Sequence, residues 1–232
     1  MKIQDAVVLV TGANRGIGLA FAREALARGA RKVYAAARNP QSVTLKVAIP
    51  VRLDVTKPEE VETLARELSD VTIVINNAGI LEVGSPLDAD GLASLRRHIE
   101  TNLFGVLTVS QAFAPALVAH QGGMINVVSL GSWLAHPAVG NYATSKAAVW
   151  GLTNNLRRVL EPQGVTVTTL HMSYVDTDMT KTMDVPKATP DAVVAAALDG
   201  LEAGEREVLF DGFTQAVKGG LSSSEALYLT GV

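Results

Sequence analysis

The stretch that most narrows what this chain can fold into is Thr11-Gly12-Ala13-Asn14-Arg15-Gly16-Ile17-Gly18. It stands between the apolar run Ala6 to Val10 and the helical periodicity of Leu19 to Arg28. A strand that ends in closely spaced glycines and restarts as a helix lets backbone approach a pyrophosphate. The helix N-terminus then turns its unpaired N–H groups toward the negative charge. The spacing is Gly-x-x-x-Gly-x-Gly, not the commoner Gly-x-Gly-x-x-Gly. Taken alone, it also fits an ordinary glycine-rich strand-to-helix turn.

The same alternation continues along the chain. Apolar or β-branched runs predict strands at Lys32 to Ala36, Val47 to Leu53, Val71 to Ile75, Met124 to Val128, Val165 to Leu170 and Glu207 to Phe210. Helical patterns predict helices from Pro58 to Leu68, Leu92 to His120 (kinked at Pro115), Tyr142 to Leu160 and Pro190 to Ala203. Pro40 to Lys46 reads as a short link, and the segment up to Asp90 as loop. Strands alternating with helices predict an α/β fold with a doubly wound parallel sheet, because parallel strands need crossover connections. No linker or repeat divides the chain, so residues 1–232 read as one domain.

Composition sets outer bounds. The chain has 232 residues and is 48% hydrophobic, enough for one sizeable core. A net charge of −3 leaves no basic footprint for nucleic acid. With no cysteine, disulfides and thiolate metal sites are excluded, and the four histidines show no metal-ligand spacing. No signal peptide is evident, and no apolar run reaches ~18 residues. The expectation is a cytoplasmic protein with neither a membrane partner nor a metal.

Where a dinucleotide-binding domain would carry an acid for the ribose 2′-hydroxyl, this chain has Ala37, followed by Arg38. Arg15 and Arg38 are guanidiniums suited to a 2′-phosphate, so the preferred cofactor is predicted to be NADP. Further on, Ser129 closes an apolar run, Tyr142 follows thirteen residues later, and Lys146 four after that. A spacing of four stacks tyrosine and lysine on one helix face. At ~4 Å and an effective dielectric of ~20, an ammonium favours tyrosinate by about 4 kcal/mol, up to about three pKa units. That would give an acid/base for neutral pH.

Together these residues resemble the short-chain dehydrogenase/reductase family over about 7–212. The resemblance rests on Thr-Gly-x-x-x-Gly-Ile-Gly at 11–18, Asp54-Val55, Asn-Asn-Ala-Gly at 76–79, Asn102, Ser129 and Tyr142-x-x-x-Lys146. It implies a Rossmann-type seven-stranded sheet and hydride transfer between a nicotinamide and a carbonyl or alcohol carbon. By resemblance, Tyr142 is the general acid/base and Ser129 holds the substrate oxygen. Lys146 lowers the phenol pKa and binds the nicotinamide ribose, and Asn102 positions a water next to Lys146. Asp54 and Val55 flank the adenine, while Asn77, Ala78 and Gly79 line the cofactor floor together with Gly12, Asn14, Gly16, Ile17 and Gly18. Val175 and Thr177 match carboxamide-binding positions.

The chain departs from the family pattern twice. The link after Arg38 is short, and Met172-Ser173 stands where Pro-Gly is usual. A short substrate lid is expected near 180–190. Trp133, Leu134, Met172, Ser173, Tyr174, Met179 and Met183 are candidate pocket walls for a small to medium apolar ketone or aldehyde. The resemblance also implies a homodimer or homotetramer built on the helices at 92–120 and 142–160, with Trp150 and Leu152 facing either that interface or the sheet. The alternatives are a non-catalytic NAD(P)-binding regulator and a nucleotide-sugar epimerase or dehydratase.

Overall fold

Five consecutive buried residues, Val7–Thr11, form the strand β1 at the centre of the molecule. The computed structural model describes residues 1–231. The other strands are β2 (Lys32–Ala37), β3 (Ile49–Arg52), β4 (Ile73–Asn76), β5 (Gly123–Val127), β6 (Thr166–His171) and β7 (Glu207–Leu209). The helices are α1 (Gly16–Ala27), α2 (Pro58–Glu67), α3 (Gly91–His98), α4 (Gly105–Ala119), α5 (Gly140–Leu160), α6 (Pro190–Ala203), α7 (Gly212–Gly219) and α8 (Leu227–Thr230). All seven strands pair in parallel in the order β3-β2-β1-β4-β5-β6-β7. This is a single-domain, Rossmann-like doubly wound sheet, as the alternation of elements predicted.

Side chains alternate faces along a strand, and here both faces are buried. Val8 and Val10 join Phe21, Ala25, Val193 and Leu198 on the side covered by α1 and α6. Val7 and Leu9 join Leu64, Val109, Phe113 and Leu117 on the side covered by α2 and α4. β1 therefore reads as a continuous apolar run closed by Thr11. The edge strand β3 tolerates Pro50 and leaves Ile49 exposed.

The structure departs from the sequence reading at the long helix and after β7. The helix predicted from Leu92 to His120 is two α-helices, α3 and α4, joined by a π-helical turn at Ile99–Phe104. The regular ladder thus changes around Asn102. Pro115, the predicted kink, lies within α4. Residues Gly91–Ala119 also run long and apolar enough to cross a membrane by length and composition. Val109, Phe113 and Leu117 of this stretch are nevertheless fully buried against the sheet. Finally, α7 and α8 follow β7, where no pattern signalled helices.

Beyond β6, residues 172–189 carry no regular element, only a bridge between Val175 and Ala188. The winding direction of the sheet reverses between β1 and β4, and a crevice opens at their carboxyl ends. Ligands of open α/β sheets bind at such a switch point.

Candidate active site

One cleft of about 1690 Å³ runs along the carboxyl ends of the strands. At its floor, Gly12 (φ +66) and Gly16 (φ +54) adopt left-handed backbone that glycine reaches without cost. Gly18 is glycine for another reason: a Cβ there would stand 2.2 Å from the Gly12 carbonyl oxygen. Asn77 holds this turn, with Nδ2 donating to the carbonyls of Thr11 (2.8 Å) and Gly12 (3.2 Å). Thr11 Oγ1 in turn accepts from the N–H groups of Asn77 and Ala78, each at 3.0 Å. The glycine turn and the Asn-Ala-Gly segment are therefore one unit. Its close backbone approach and the N-terminus of α1 fit a dinucleotide pyrophosphate.

At one end the cleft is lined by Ala37, Arg38, Asp54 and Val55. Burial works to raise the Asp54 pKa, but hydrogen bonds from Thr56 and the charge of Arg38 hold it below the usual carboxylate range. Arg15 lines the cleft too, where its Nη1 donates to Asp178 Oδ2 at 3.0 Å; both side chains are mostly exposed. An exposed pair of this kind is weak, on the order of 0–1 kcal/mol. It can open for a phosphate at small cost.

Ser129, Tyr142 and Lys146 meet at the other end. Ser129 starts the 3₁₀ turn Leu130–Ser132, and its Oγ accepts from the Gly131 N–H at 3.0 Å. Its own hydroxyl proton turns to the Tyr142 phenol and can be passed to a substrate oxygen in the phenol's place. Lys146 is buried, with Nζ donating to the Val127 carbonyl at 2.8 Å and lying 5.7 Å from the Tyr142 ring centroid. This corrects the sequence expectation of a lowered tyrosine pKa. Burial pushes the half-buried Tyr142 phenol up to about 12, against a hydrogen bond with Ser129 that lowers it. Burial also pushes Lys146 down to about 8. For both groups burial is the largest cause of the shift.

Asn102 is fully buried behind the cleft. Its Oδ1 accepts from Ile80 N–H at 2.8 Å, and Nδ2 donates to Ile80 O at 3.0 Å and Ser145 Oγ at 2.9 Å. Both amide protons are committed to these partners. Every residue expected to touch cofactor lines the cleft, Val175 and Thr177 included. Of the expected walls, Leu134, Met172, Ser173, Tyr174, Met179 and Met183 line it. Trp133 does not. It is buried, with its ring stacked on His171 at 4.1 Å between centroids. Trp150 points the same way, meeting Trp133 edge to face at 5.7 Å.

Several side chains near the site left no sequence signal. His98 is buried edge-on to the Tyr142 ring at 6.4 Å, tied to Ser94 O and the Glu82 N–H. Arg97 makes a bidentate pair with Glu82 at the mouth, which holds the Glu82 carboxyl down at about 2. Phe213, from the unforeseen α7, also lines the cleft. Such roles depend on long-range packing, and no local periodicity records them.

Known proteins share this arrangement. The short chain dehydrogenase family profile matches residues 6–187. The 3-oxoacyl-[acyl-carrier-protein] reductase FabG of Vibrio cholerae is 31% identical, covering 100% of this chain and 95% of that protein. A 3-alpha-(or 20-beta)-hydroxysteroid dehydrogenase of Mycobacterium bovis is 30% identical over 77% of this chain and 72% of its own length. Among solved structures, a short chain dehydrogenase from Burkholderia cenocepacia in complex with NADP superposes with a TM-score of 0.94. It is 35% identical and covers 99% of this chain and 98% of that one. The glycine turn, the parallel sheet and the serine, tyrosine and lysine of one cleft are explained together: this chain belongs to the short-chain dehydrogenase/reductase family of oxidoreductases.

Proposed function

We propose that the chain is an NADP-preferring carbonyl reductase that runs in reverse as a secondary alcohol dehydrogenase. The observation that carries this reading is the convergence of Ser129, Tyr142 and buried Lys146 in the cleft whose far end presents Ala37 and Arg38. The cofactor supplies the hydride when bound. The chain's own part is to hold the carbonyl oxygen and deliver a proton. Ser129 and Tyr142 offer that oxygen two donors, and one such donor is worth ~10²–10³ in rate. A phenol held protonated by burial suits an acid that gives its proton as the oxygen gains charge. Lys146, poised near neutrality at about 8, is placed to resupply it.

The substrate proposed is a small to medium ketone or aldehyde, since Leu134, Met172, Met179, Met183 and Phe213 give the mouth apolar walls. Residues 180–190 serve as its short lid, and self-association uses the exposed Phe104 and Val159 on the π turn and α5. The full-length match to a 3-oxoacyl reductase favours including β-keto esters among trial substrates. The test follows NADPH consumption with ethyl acetoacetate, acetophenone, cyclohexanone and short aldehydes. Tyr142→Phe should lower kcat/KM by at least ~10²-fold while NADPH affinity barely moves, because a general acid contributes about 10²–10⁴. Near-normal turnover in the variant removes the phenol from the mechanism. NADPH binding with no turnover of any carbonyl favours a non-catalytic binding protein.

A further inference from the structure

Behind Ser129, outside the cleft, lies a buried polar cluster that the reaction as described does not use. His171 ends β6 with its ring fully buried. A proton count fixes its tautomer. Ser132 Oγ has one hydrogen and donates it to the Ser129 carbonyl at 2.7 Å. His171 Nδ1 lies 3.2 Å from the same Oγ and 3.3 Å from the same carbonyl, so Nδ1 carries a proton and donates. Nε2 is the bare nitrogen: it has no hydrogen-bond partner and stands 3.9 Å from Glu207 Oε1.

The plane of the ring is set by its packing. It stacks on Trp133 with 15° between planes, and Trp133 meets Trp150 edge to face. Lys218 Nζ sits 4.7 Å from each indole ring. Glu207 accepts from Lys218 at 2.9 Å and from Trp150 Nε1 at 2.9 Å. The charged groups around the ring are Glu207 on β7, Lys218 on α7 and Arg157 on α5. The Ser129 carbonyl also accepts the Ser132 N–H at 3.1 Å, closing the turn whose Gly131 N–H orients the Ser129 hydroxyl.

We propose that His171, as the Nδ1–H tautomer, is a positioning residue for Ser129. With Ser132 it fixes the Ser129 carbonyl, and through that turn the direction in which the Ser129 hydroxyl meets a substrate oxygen. The inference rests on the carbonyl reductase reading above. It assigns the tryptophan and lysine cluster the work of keeping the imidazole plane fixed.

The experiment measures kcat, carbonyl KM and NADPH Kd with ethyl acetoacetate, or the fastest ketone of the trial set. His171→Phe keeps the stack but loses the N–H. Its kcat should fall roughly tenfold, inside the ~10²-fold that an ångström-scale misplacement costs, with NADPH Kd little changed. His171→Asn places an amide N–H where Nδ1–H was and should return most of kcat. His171→Gln places its amide at the Nε2 position and should not. In a Ser129→Ala background, His171→Phe should cost nothing further, because the two act as one unit. Equal losses in the Asn and Gln variants overturn the proposal, and that pair decides it if the Phe variant fails to fold. A Ser129→Ala loss that multiplies with His171→Phe overturns the proposal alone. Unchanged turnover in Ser129→Ala itself overturns the reading of Ser129 and the inference with it.

Discussion

Replacing Gly18 by alanine separates close approach from backbone freedom as the reason for that glycine. Gly18 lies in the first turn of α1 and has no left-handed φ, so alanine is conformationally allowed. The obstacle is space. The new Cβ would meet the Gly12 oxygen at 2.2 Å, Asn77 Nδ2 at 2.5 Å and the Gly12 carbonyl carbon at 2.8 Å. Two of these three atoms are backbone, and the third holds the Thr11 and Gly12 carbonyls. Relief must move the turn or break the Asn77 clamp. Overpacking costs ~1–3 kcal/mol, and each lost Asn77 bond about 0.5–1.5 kcal/mol. Together these give a destabilisation on the order of 2–5 kcal/mol, which lowers Tm by roughly 5–15 °C for a domain of this size. The same shift moves the N–H groups of the cradle, so NADPH Kd should rise at least ~10-fold, equivalent to about 1.4 kcal/mol. Urea or thermal unfolding gives the first number, and NADPH fluorescence titration the second. A Tm within about 2 °C of wild type together with unchanged Kd would refute the close-approach argument.

Gly151→Ala is the opposite case: an exposed glycine within α5 with nothing within 4 Å of its added Cβ should stabilise the chain by about 0.5–1 kcal/mol in urea unfolding. NADPH should exceed NADH by more than ~10-fold in kcat/KM, since Arg–phosphate contacts are charge-assisted. Ala37→Asp with Arg38→Leu should move the preference toward NADH, and a wild type that prefers NADH would refute the assignment of this pocket. Burial pushes His171 down to about 4 from an ordinary 6.5. The unfolded chain therefore takes up a proton before the folded one does, and stability falls as pH drops from 6.5 toward 4. The loss should reach about 2 kcal/mol by pH 5 at ~1.4 kcal/mol per pKa unit. His171→Asn should remove that part of the slope when urea midpoints are compared at pH 7 and pH 5, and an unchanged slope would contradict a neutral buried ring.

The strands, the glycine turn and the meeting of Tyr142 with Lys146 on one helix could be read directly from the sequence because each is written in local chemistry. Both-face burial makes β1 and β4 apolar up to their last residues and β5 apolar apart from Gly123 and Asn126, and the tight turn demands glycine at 12, 16 and 18. A spacing of four puts Tyr142 and Lys146 on one face of α5. Residues such as Trp133 show where this kind of reading stops. An indole four residues after Ser129 fits a pocket wall as well as core packing, and only the arrival of α7 with Lys218 and of β7 with Glu207 set it inward against His171. The π turn around Asn102 is set by contacts with Ile80 and Ser145, which lie 22 and 43 residues away in the chain. The acid/base balance of Tyr142 and Lys146 could not be read either. Spacing reports the attraction between two charges, but the larger cost of taking each out of water depends on what the rest of the fold packs around them.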